Sequence, residues 1–409
     1  MLTLSSKLTS LNYPVLLTAL EHRYYGSSYP EQGSGYQYLT TPQAIADVKG
    51  FLTYVKETIL TPTTPTLTYT FGGSYPGMVS AFSRFTYPNH VQGSVSSSSP
   101  VQATVEMKEY NEVVGNALEM EEIGGSMECL DIVVKGHSQI GEMLSNVEGR
   151  SELADVFNIC GGEEMLEESR RNREVFAGDG VVYVPAQEND PSCEGELCNI
   201  EKICEFLTGR KGEQEEEEEV EEWRVLASLA AAQNGGSCVN VDWEERIAEL
   251  KSPASILGGT KSWLYQTCTG WGFYQTCPLD STCPYSKGYH GVDQDLEICE
   301  RVFNVSKEEV YEAVDKSNGI YGGWNIEDDR ILFVNGNVDP WSALSVTPTN
   351  GEIEEGTCKE KSFWVEGASH HFWTHEVLDT DGEDVQEARE KIHDTVIGWI
   401  TDAGEYSGD

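Results

Sequence analysis

The feature that most constrains the fold is an alternation of strand and helix patterns at both ends of the chain, which is absent from its middle. Apolar runs of strand length are followed by segments with apolar residues at helical spacing. The predicted elements, in order, are a strand at 15–20, a helix after Thr41, a strand at 67–71, a helix after Ser74, strands at 331–334 and 363–365, and a helix near 385–400. This order predicts an α/β sheet whose two halves are separated in the sequence by a long insertion.

The composition changes at the same places. Residues 1–100 hold five basic and four acidic side chains, whereas the whole chain has 27 and 69, so nearly all of the net charge of −42 lies further along. None of the 11 cysteines precedes Cys129, and ten fall between Cys129 and Cys299. We therefore predict an α/β domain formed by 1–100 and 316–409, with a mainly helical, disulfide-containing cap inserted at 101–315.

The charge also restricts the partners. A net charge of −42 repels a phosphate backbone, so nucleic acid is excluded as a partner. Within the insertion, residues 209–223 are predicted to form a solvated acidic loop, since eight of the ten residues 213–222 are glutamate. The longest apolar runs, such as Val15-Leu16-Leu17, are too short to cross a membrane.

The cysteines indicate disulfides rather than a metal site. The chain contains no Cys-x-x-Cys pair, so its spacings lack the ligand pattern of a zinc ribbon. Disulfides are typical of an oxidising compartment. The Asn304-Val305-Ser306 triplet is a candidate glycosylation site that fits a secretory route, although residues 1–10 lack the apolar stretch of a signal peptide. The protein is therefore cytosolic, or the start of the chain is missing.

The sharpest local feature is a serine between a predicted strand and a predicted helix. Residues 70–77 read Thr-Phe-Gly-Gly-Ser-Tyr-Pro-Gly, with Ser74 at the junction. Such a turn strains the serine backbone and needs small neighbours, and it points the hydroxyl out of the sheet as a nucleophile. The backbone N–H of Tyr75 would then face an oxyanion at the start of the helix.

A nucleophilic serine needs a base and an orienting carboxylate, which in doubly wound hydrolases follow later strands in the order acid, then histidine. Asp339 follows the strand predicted at 331–334, and His370 and His371 follow the strand predicted at 363–365. The residue types, their order and their positions after strands predict a serine hydrolase.

Four separated motifs resemble the prolyl-directed serine peptidase family, which includes Pro-X carboxypeptidase and dipeptidyl peptidase II. The motifs are Glu21-His22-Arg23-Tyr24-Tyr25-Gly26-Ser27-Ser28, Gly72-Gly73-Ser74-Tyr75, Asn335-Gly336-x-x-Asp339-Pro340-Trp341 and Gly367-Ala368-Ser369-His370. Residues 263–277 look most similar to the thymus-specific branch of that family. The resemblance extends from about residue 15 to the C-terminal helix.

This resemblance implies an α/β-hydrolase domain with a helical, disulfide-containing cap, and no cofactor or metal. It implies Ser74 as nucleophile, Asp339 as acid and His370, rather than His371, as base. Met78 and Trp341 occupy positions matching the family's pocket for proline.

The resemblance further implies proline-containing peptide substrates and a lysosomal, vacuolar or extracellular location, and it allows a homodimer. The strands that usually precede the Glu-His-Arg-Tyr-Tyr-Gly segment are expected to be missing. The sequence leaves open whether peptides are trimmed from their amino or their carboxyl end.

Two other functions compete with the peptidase. Pro76 stands where the family usually has glycine, and it favours an inactive binding protein on the same fold, because proline restricts the backbone of Tyr75. A zinc-dependent hydrolase is the other alternative, with His370, His371 and His375 as ligands and Glu376 beside them.

Overall fold

The computed structural model describes residues 14–30, 35–60, 66–214, 221–252, 259–350 and 362–405. These residues form a mixed α/β protein with mainly helical secondary structure. The chain divides into two compact units. The first comprises Met1–Ala103, Leu257–Gln266 and Asp315–Asp409, and the second comprises Thr104–Ile256 and Thr267–Val314.

The strands in the described ranges are short. They are β1 (Tyr69–Gly73), β2 (Gly93–Ser97), β3 (Thr104–Glu106), β4 (Gly272–Tyr274), β5 (Ile331–Gly336) and β6 (Phe363–Val365). The α-helices are α1 (Thr41–Tyr54), α2 (Tyr75–Thr86), α3 (Lys108–Glu119), α4 (Met127–Met143), α5 (Val147–Val156), α6 (Glu163–Glu168), α7 (Arg170–Ala177), α8 (Ile200–Gln214), α9 (Glu222–Gln233), α10 (Trp243–Lys251), α11 (Thr260–Gln266), α12 (Val292–Phe303), α13 (Lys307–Tyr321) and α14 (Glu383–Glu405).

The first unit contains a parallel sheet with the strand order β1-β2-β5-β6. Its register pairs Gly73 with Ser97 and Ser97 with Val334, and it pairs Gly336 with Val365. Because the strands are parallel, their carboxyl ends meet at one edge, and the loops that follow them are brought together there.

The strand β2 was not predicted, because its sequence Gly-Ser-Val-Ser-Ser is poor in the residues that favour strands. Close packing explains these small residues. A side-chain carbon added at Gly93 would lie 2.7 Å from the Trp399 ring. On the α2 side, Ser94 Oγ lies 2.7 Å from Ser80 Oγ, and Ser96 Oγ donates to the Gly77 carbonyl at 3.0 Å.

The opposite face of β2 is apolar. Val95 belongs to a buried cluster with side chains of β5, β6 and α14; its members include Leu332, Val334, Phe363, Val365, Val385, Ala388, Ile392, Val396 and Trp399. The predicted final helix is therefore confirmed, and its apolar stripe covers the sheet. Helices flank β2 on both faces, while the complete doubly wound arrangement stays a prediction.

The strand predicted at 15–20 is wrong. These residues have no regular secondary structure and are exposed, with Leu16 51% accessible. A strand needs a hydrogen-bonding neighbour, and within the described ranges the ladder beside β1 contains only β2. Within those ranges, the apolar run therefore has no neighbouring strand with which to pair.

The second unit is helical apart from the parallel pair β3–β4. Its ten cysteines form disulfides, as predicted: Cys129–Cys204, Cys160–Cys238, Cys193–Cys198, Cys268–Cys299 and Cys277–Cys283. The eleventh cysteine, Cys358, lies outside the described residues.

The predicted acidic loop at 209–223 is helical at both ends. Helix α8 extends to Gln214 and α9 begins at Glu222, while 215–220 lie outside the described residues. Glutamate is a good helix former, which is consistent with both boundaries.

Candidate active site

The serine at the end of β1 has the backbone that the turn requires. Ser74 has φ 60° and ψ −136°, and α2 begins at the next residue. A positive φ is strained for a residue with a side chain. A side-chain carbon added at Gly72 would lie 2.2 Å from the Pro76 carbonyl oxygen, so the strand and the helix approach too closely for a larger residue.

At the start of α2, the backbone N–H of Tyr75 is left without an intrahelical acceptor. The Ser74 N–H donates to the Ser97 carbonyl at 2.9 Å, and the Ser74 carbonyl accepts from the Met78 N–H at 3.1 Å. The N–H of Tyr75 is the first in the helix and therefore has no intrahelical partner. Pro76 is the second helical residue, where its missing N–H removes no intrahelical bond, so the helix begins normally.

The structure brings Asp339 and His370 together. Asp339 is fully buried in the turn after β5, and both of its carboxylate oxygens lie 3.0 Å from Nδ1 of His370. A carboxylate accepts, so Nδ1 carries the ring proton and Nε2 is left as an acceptor. One carboxylate oxygen also accepts from the Trp341 N–H at 3.0 Å, which fixes the turn.

The free nitrogen of this pair is buried. Nε2 of His370 has no hydrogen-bond partner in the part of the chain that the structure describes, so it is not bonded to the Ser74 hydroxyl in this conformation. Hydrogen bonds to a catalytic base are often long before substrate binds. A buried acceptor without a partner can take a proton from a group that moves to within reach.

The second histidine connects this pair to the end of β1. A side-chain carbon added at Gly73 would lie 2.7 Å from Cδ2 of His371, whose ring centroid is 4.5 Å from that of His370. Burial, followed by the nearby His370, lowers the pKa of His371 to about 4, so this ring is neutral near pH 7. The His371 ring is therefore in contact with Gly73, the residue that precedes Ser74.

The carboxylate distinguishes the two histidines. Asp339 contacts His370, whereas Nδ1 of His371 lies 3.3 Å from the Thr374 hydroxyl. His371 has a left-handed backbone with φ 42°, and its N–H donates to Ser98 Oγ at 2.8 Å. The geometry therefore favours His370 as the base.

Serines at the carboxyl end of β2 support this edge of the sheet, and the sequence analysis did not predict them. Ser97 Oγ accepts from the Trp373 indole N–H at 3.1 Å, and Ser98 holds the backbone of His371. The run of four serines at 96–99 was the available signal, since buried small polar residues in a row need nearby partners.

The two predicted pocket residues differ in exposure. Trp341 is half-buried, and its ring centroid lies 6.4 Å from that of His370. Met78 is completely buried in α2. Trp341 therefore exposes part of its ring beside His370, while Met78 has no accessible surface in this conformation.

The remaining predicted sites concern modification, metal and membrane. Asn304 is exposed at the C-terminal end of α12. The described ranges contain no group of three or more His, Cys, Asp or Glu side chains arranged to hold a metal ion. None of the helices in those ranges is long and apolar enough to cross a bilayer.

Replacing Gly73 with alanine is expected to lower kcat by about tenfold or more and to destabilise the protein by about 1–3 kcal/mol. The added carbon would meet the His371 ring at 2.7 Å and push this ring, and the adjacent His370 ring, away from the end of β1. Steady-state kinetics and thermal unfolding measure the two effects. Gly50→Ala is the matched control, because α1 leaves open space around Gly50. Wild-type kcat in Gly73→Ala would show that this contact does not matter.

Serine hydrolases typically have a parallel sheet with a strained serine at a strand-to-helix turn. They also have a buried histidine–carboxylate pair on loops at the same edge of that sheet, as here. The chain belongs to the serine carboxypeptidase S28 family, whose model matches residues 9–392. It is thus a serine-type peptidase, and the resemblance seen in the sequence is confirmed.

The relatives agree with this assignment. The chain is 30% identical to the thymus-specific serine protease of Mus musculus over 396 residues, covering 95% of this chain and 75% of that protein. It is 23% identical to the lysosomal Pro-X carboxypeptidase of Bos taurus over 354 residues, covering 81% and 65%. It is 24% identical to a probable extracellular serine carboxypeptidase of Arthroderma benhamiae over 397 residues, covering 87% and 52%.

Proposed function

We propose that this protein is an exopeptidase that cleaves after proline by acyl transfer through Ser74, Asp339 and His370. The observation that carries the proposal is the buried His370–Asp339 pair, in which Nε2 of His370 has no partner among the described residues. The pair lies on the loops after β5 and β6, at the same edge of the sheet as the strained Ser74. This pair can accept a proton, and the turn can present a hydroxyl.

The mechanism follows from these groups. His370 Nε2 removes the Ser74 proton while Ser74 Oγ attacks the peptide carbonyl carbon. Asp339 keeps the ring proton on Nδ1 and stabilises the imidazolium. The Tyr75 N–H stabilises the oxyanion. The Tyr24 and Tyr25 N–H groups donate to the Ser28 and His22 carbonyls, so a second donor from the loop at 24–26 would be the N–H of Gly26. His370 then returns its proton to the leaving amine, and water hydrolyses the acyl-enzyme by the reverse proton path.

Proline preference is supported by an aromatic side chain beside the base. Trp341 offers a half-buried ring 6.4 Å from His370, which suits an apolar, rigid residue before the scissile bond. Two relatives are carboxypeptidases by name, and the bovine one is a Pro-X carboxypeptidase. Met78 would contribute from beneath. A proline-containing peptide library, digested and analysed by mass spectrometry, reports this preference and the end that is trimmed.

Five disulfides and the names of the lysosomal and extracellular relatives support a secretory location, with Asn304 as the glycosylated residue. The proposed fold is a doubly wound α/β hydrolase in which the second unit is the inserted cap. A homodimer stays a prediction.

Labelling with a fluorophosphonate tests the proposed chemistry. The wild-type protein is expected to react at Ser74, as mapped by mass spectrometry, because the reagent needs an activated serine. His370→Ala is expected to lose this reaction, since the base is removed. A wild-type protein that never reacts would instead support the inactive binding protein.

A further inference from the structure

An asparagine side chain connects the two loops that carry the proposed acid and base. Asn337 lies in the turn after β5, two residues before Asp339. Its amide oxygen accepts from the Gly367 N–H at 2.8 Å, and its Nδ2 donates to Glu366 Oε2 at 2.5 Å. Both partners lie at the start of the loop after β6, which carries His370. One amide on the acid's loop is therefore bonded to two successive residues of the base's loop.

These bonds lie just beyond the end of the sheet. The ladder between β5 and β6 ends at the pair Gly336 and Val365. Further along, the Val338 N–H donates to the Ala368 carbonyl at 3.2 Å. A side-chain carbon added at Gly336 would lie 2.0 Å from that carbonyl oxygen, so the two loops approach closely here. The Asn337 amide thus continues the connection between the two chains where the ladder bonds stop.

The contact with Gly367 is made at a sharp turn of the backbone. Gly367 has a φ of 68°, in the left-handed region that favours glycine. The hydrogen bond from its N–H to Asn337 holds the start of this turn. His370 follows three residues later in the same loop. The path of the backbone at Gly367 therefore sets the direction from which the His370 ring reaches Asp339.

The geometry of the site needs this contact more than the stability of the fold does. Glu366 is exposed and Asn337 is half-buried, and a hydrogen bond between groups that water can reach contributes little to stability. Catalysis is more demanding, since a displacement of about 1 Å can cost about 10²-fold in rate. Both Asp339 carboxylate oxygens lie 3.0 Å from Nδ1 of His370, so a small shift of either loop alters this pair.

We propose that Asn337 is a positioning residue, which ties the loop of the acid to the loop of the base and so holds Asp339 against His370. The inference rests on the proposed function, in which these two residues are the acid and the base. The tie uses both groups of the amide: the oxygen accepts from the Gly367 N–H, and the nitrogen donates to the Glu366 carboxylate. Asn337 acts through the geometry of the pair.

The test compares two asparagines that make the same kinds of bond. Asn337→Leu keeps the branched shape of the side chain and removes both hydrogen bonds. Asn240→Leu, in the second unit, is the matched control. Asn240 Oδ1 accepts from the Asp242 N–H at 3.0 Å, and its Nδ2 donates to Glu245 Oε2 at 2.8 Å. For each variant we would measure kcat and KM on a proline-containing peptide, the rate of fluorophosphonate labelling and the melting temperature.

Asn337→Leu is expected to lower kcat and the labelling rate by about tenfold each, with KM within about twofold of the wild type. The melting temperature should change little, because the lost bonds are accessible to water. Asn240→Leu is expected to keep the wild-type kcat and labelling rate. A loss confined to kcat separates positioning of the acid and base from a general effect on folding or on substrate binding.

Reversing the polarity of the bond between Asn337 and Glu366 provides a rescue. Asn337→Asp keeps an acceptor for the Gly367 N–H but places a second carboxylate against Glu366, so it is expected to lower kcat by about tenfold. Adding Glu366→Gln supplies an amide that donates to the new carboxylate, and the net charge returns to that of the wild type. The double variant is expected to recover kcat to within about twofold of the wild type, which is a measurable coupling.

Three results would overturn the inference: unchanged kcat and labelling in Asn337→Leu, an equal loss in Asn240→Leu, or a double variant no more active than Asn337→Asp. If the wild-type protein is labelled at Ser74 and Asn337→Leu reacts as fast, only the role of Asn337 fails. If the wild-type protein is not labelled, the proposed function fails and this inference fails with it.

Discussion

Replacing Ser74 with alanine is expected to lower kcat by about 10⁶-fold, because the acyl-enzyme then has no oxygen on which to form. Binding should persist, so KM and the affinity for a product peptide should change little. The residual rate comes from the oxyanion donors and from substrate positioning. Steady-state kinetics with a proline-containing peptide measure the loss.

The strained backbone of Ser74 supplies a second variant that separates chemistry from folding. Alanine keeps the cost of φ 60°, whereas glycine relieves it, so Ser74→Gly is expected to raise the free energy of unfolding by about 1 kcal/mol. Both variants should be inactive. His370→Ala should cost about as much as Ser74→Ala, and the double variant no more, since the two act as a unit. Activity remaining in Ser74→Ala would mean that another group is the nucleophile.

Asp339→Asn is expected to lower kcat by about 10⁴-fold with little change in structure. The carboxylate accepts from His370 Nδ1 at 3.0 Å. An asparagine oxygen can still accept from the Trp341 N–H, but the amide NH₂ turned towards the imidazole donates, so the ring proton moves to Nε2 and the base is lost.

Asp328→Asn is the matched control for this experiment, because Asp328 pairs with Arg84 at 2.9 Å, away from the proposed triad. It is expected to lose some stability and to keep wild-type kcat. If Asp339→Asn retains more than about a tenth of wild-type kcat, Asp339 does not orient the base. An equal loss in both variants would indicate a general effect of removing a buried carboxylate.

The predicted elements near the site were accurate where the signal is local. The turn at Ser74 could be predicted, because Gly72 and Gly73 allow a close approach between strand and helix that few other residues permit. The strands β5 and β6 could be predicted from continuous apolar runs, since strands buried on both faces need them. Each of these signals lies within a few residues of the element it specifies.

Features that depend on distant neighbours could not be predicted. The strand β2 is built of small residues because Trp399 and Gly77 pack against its two faces, and its sequence alone does not indicate a strand. The apolar run at 15–20 has the composition of a strand but has no neighbouring strand in the described ranges. The grouping of Gln266 with Tyr25 joins residues 241 positions apart.

The sequence by itself determined the local chemistry of this protein: a strained serine, an acid and a histidine in order after strands, and cysteines that pair. Only the tertiary structure decided which histidine contacts the Asp339 carboxylate. His370 and His371 are adjacent in the chain, and the path of the backbone after β6 directs only His370 to Asp339. Residue types are fixed along the chain, whereas hydrogen bonds depend on distances and angles that only packing sets.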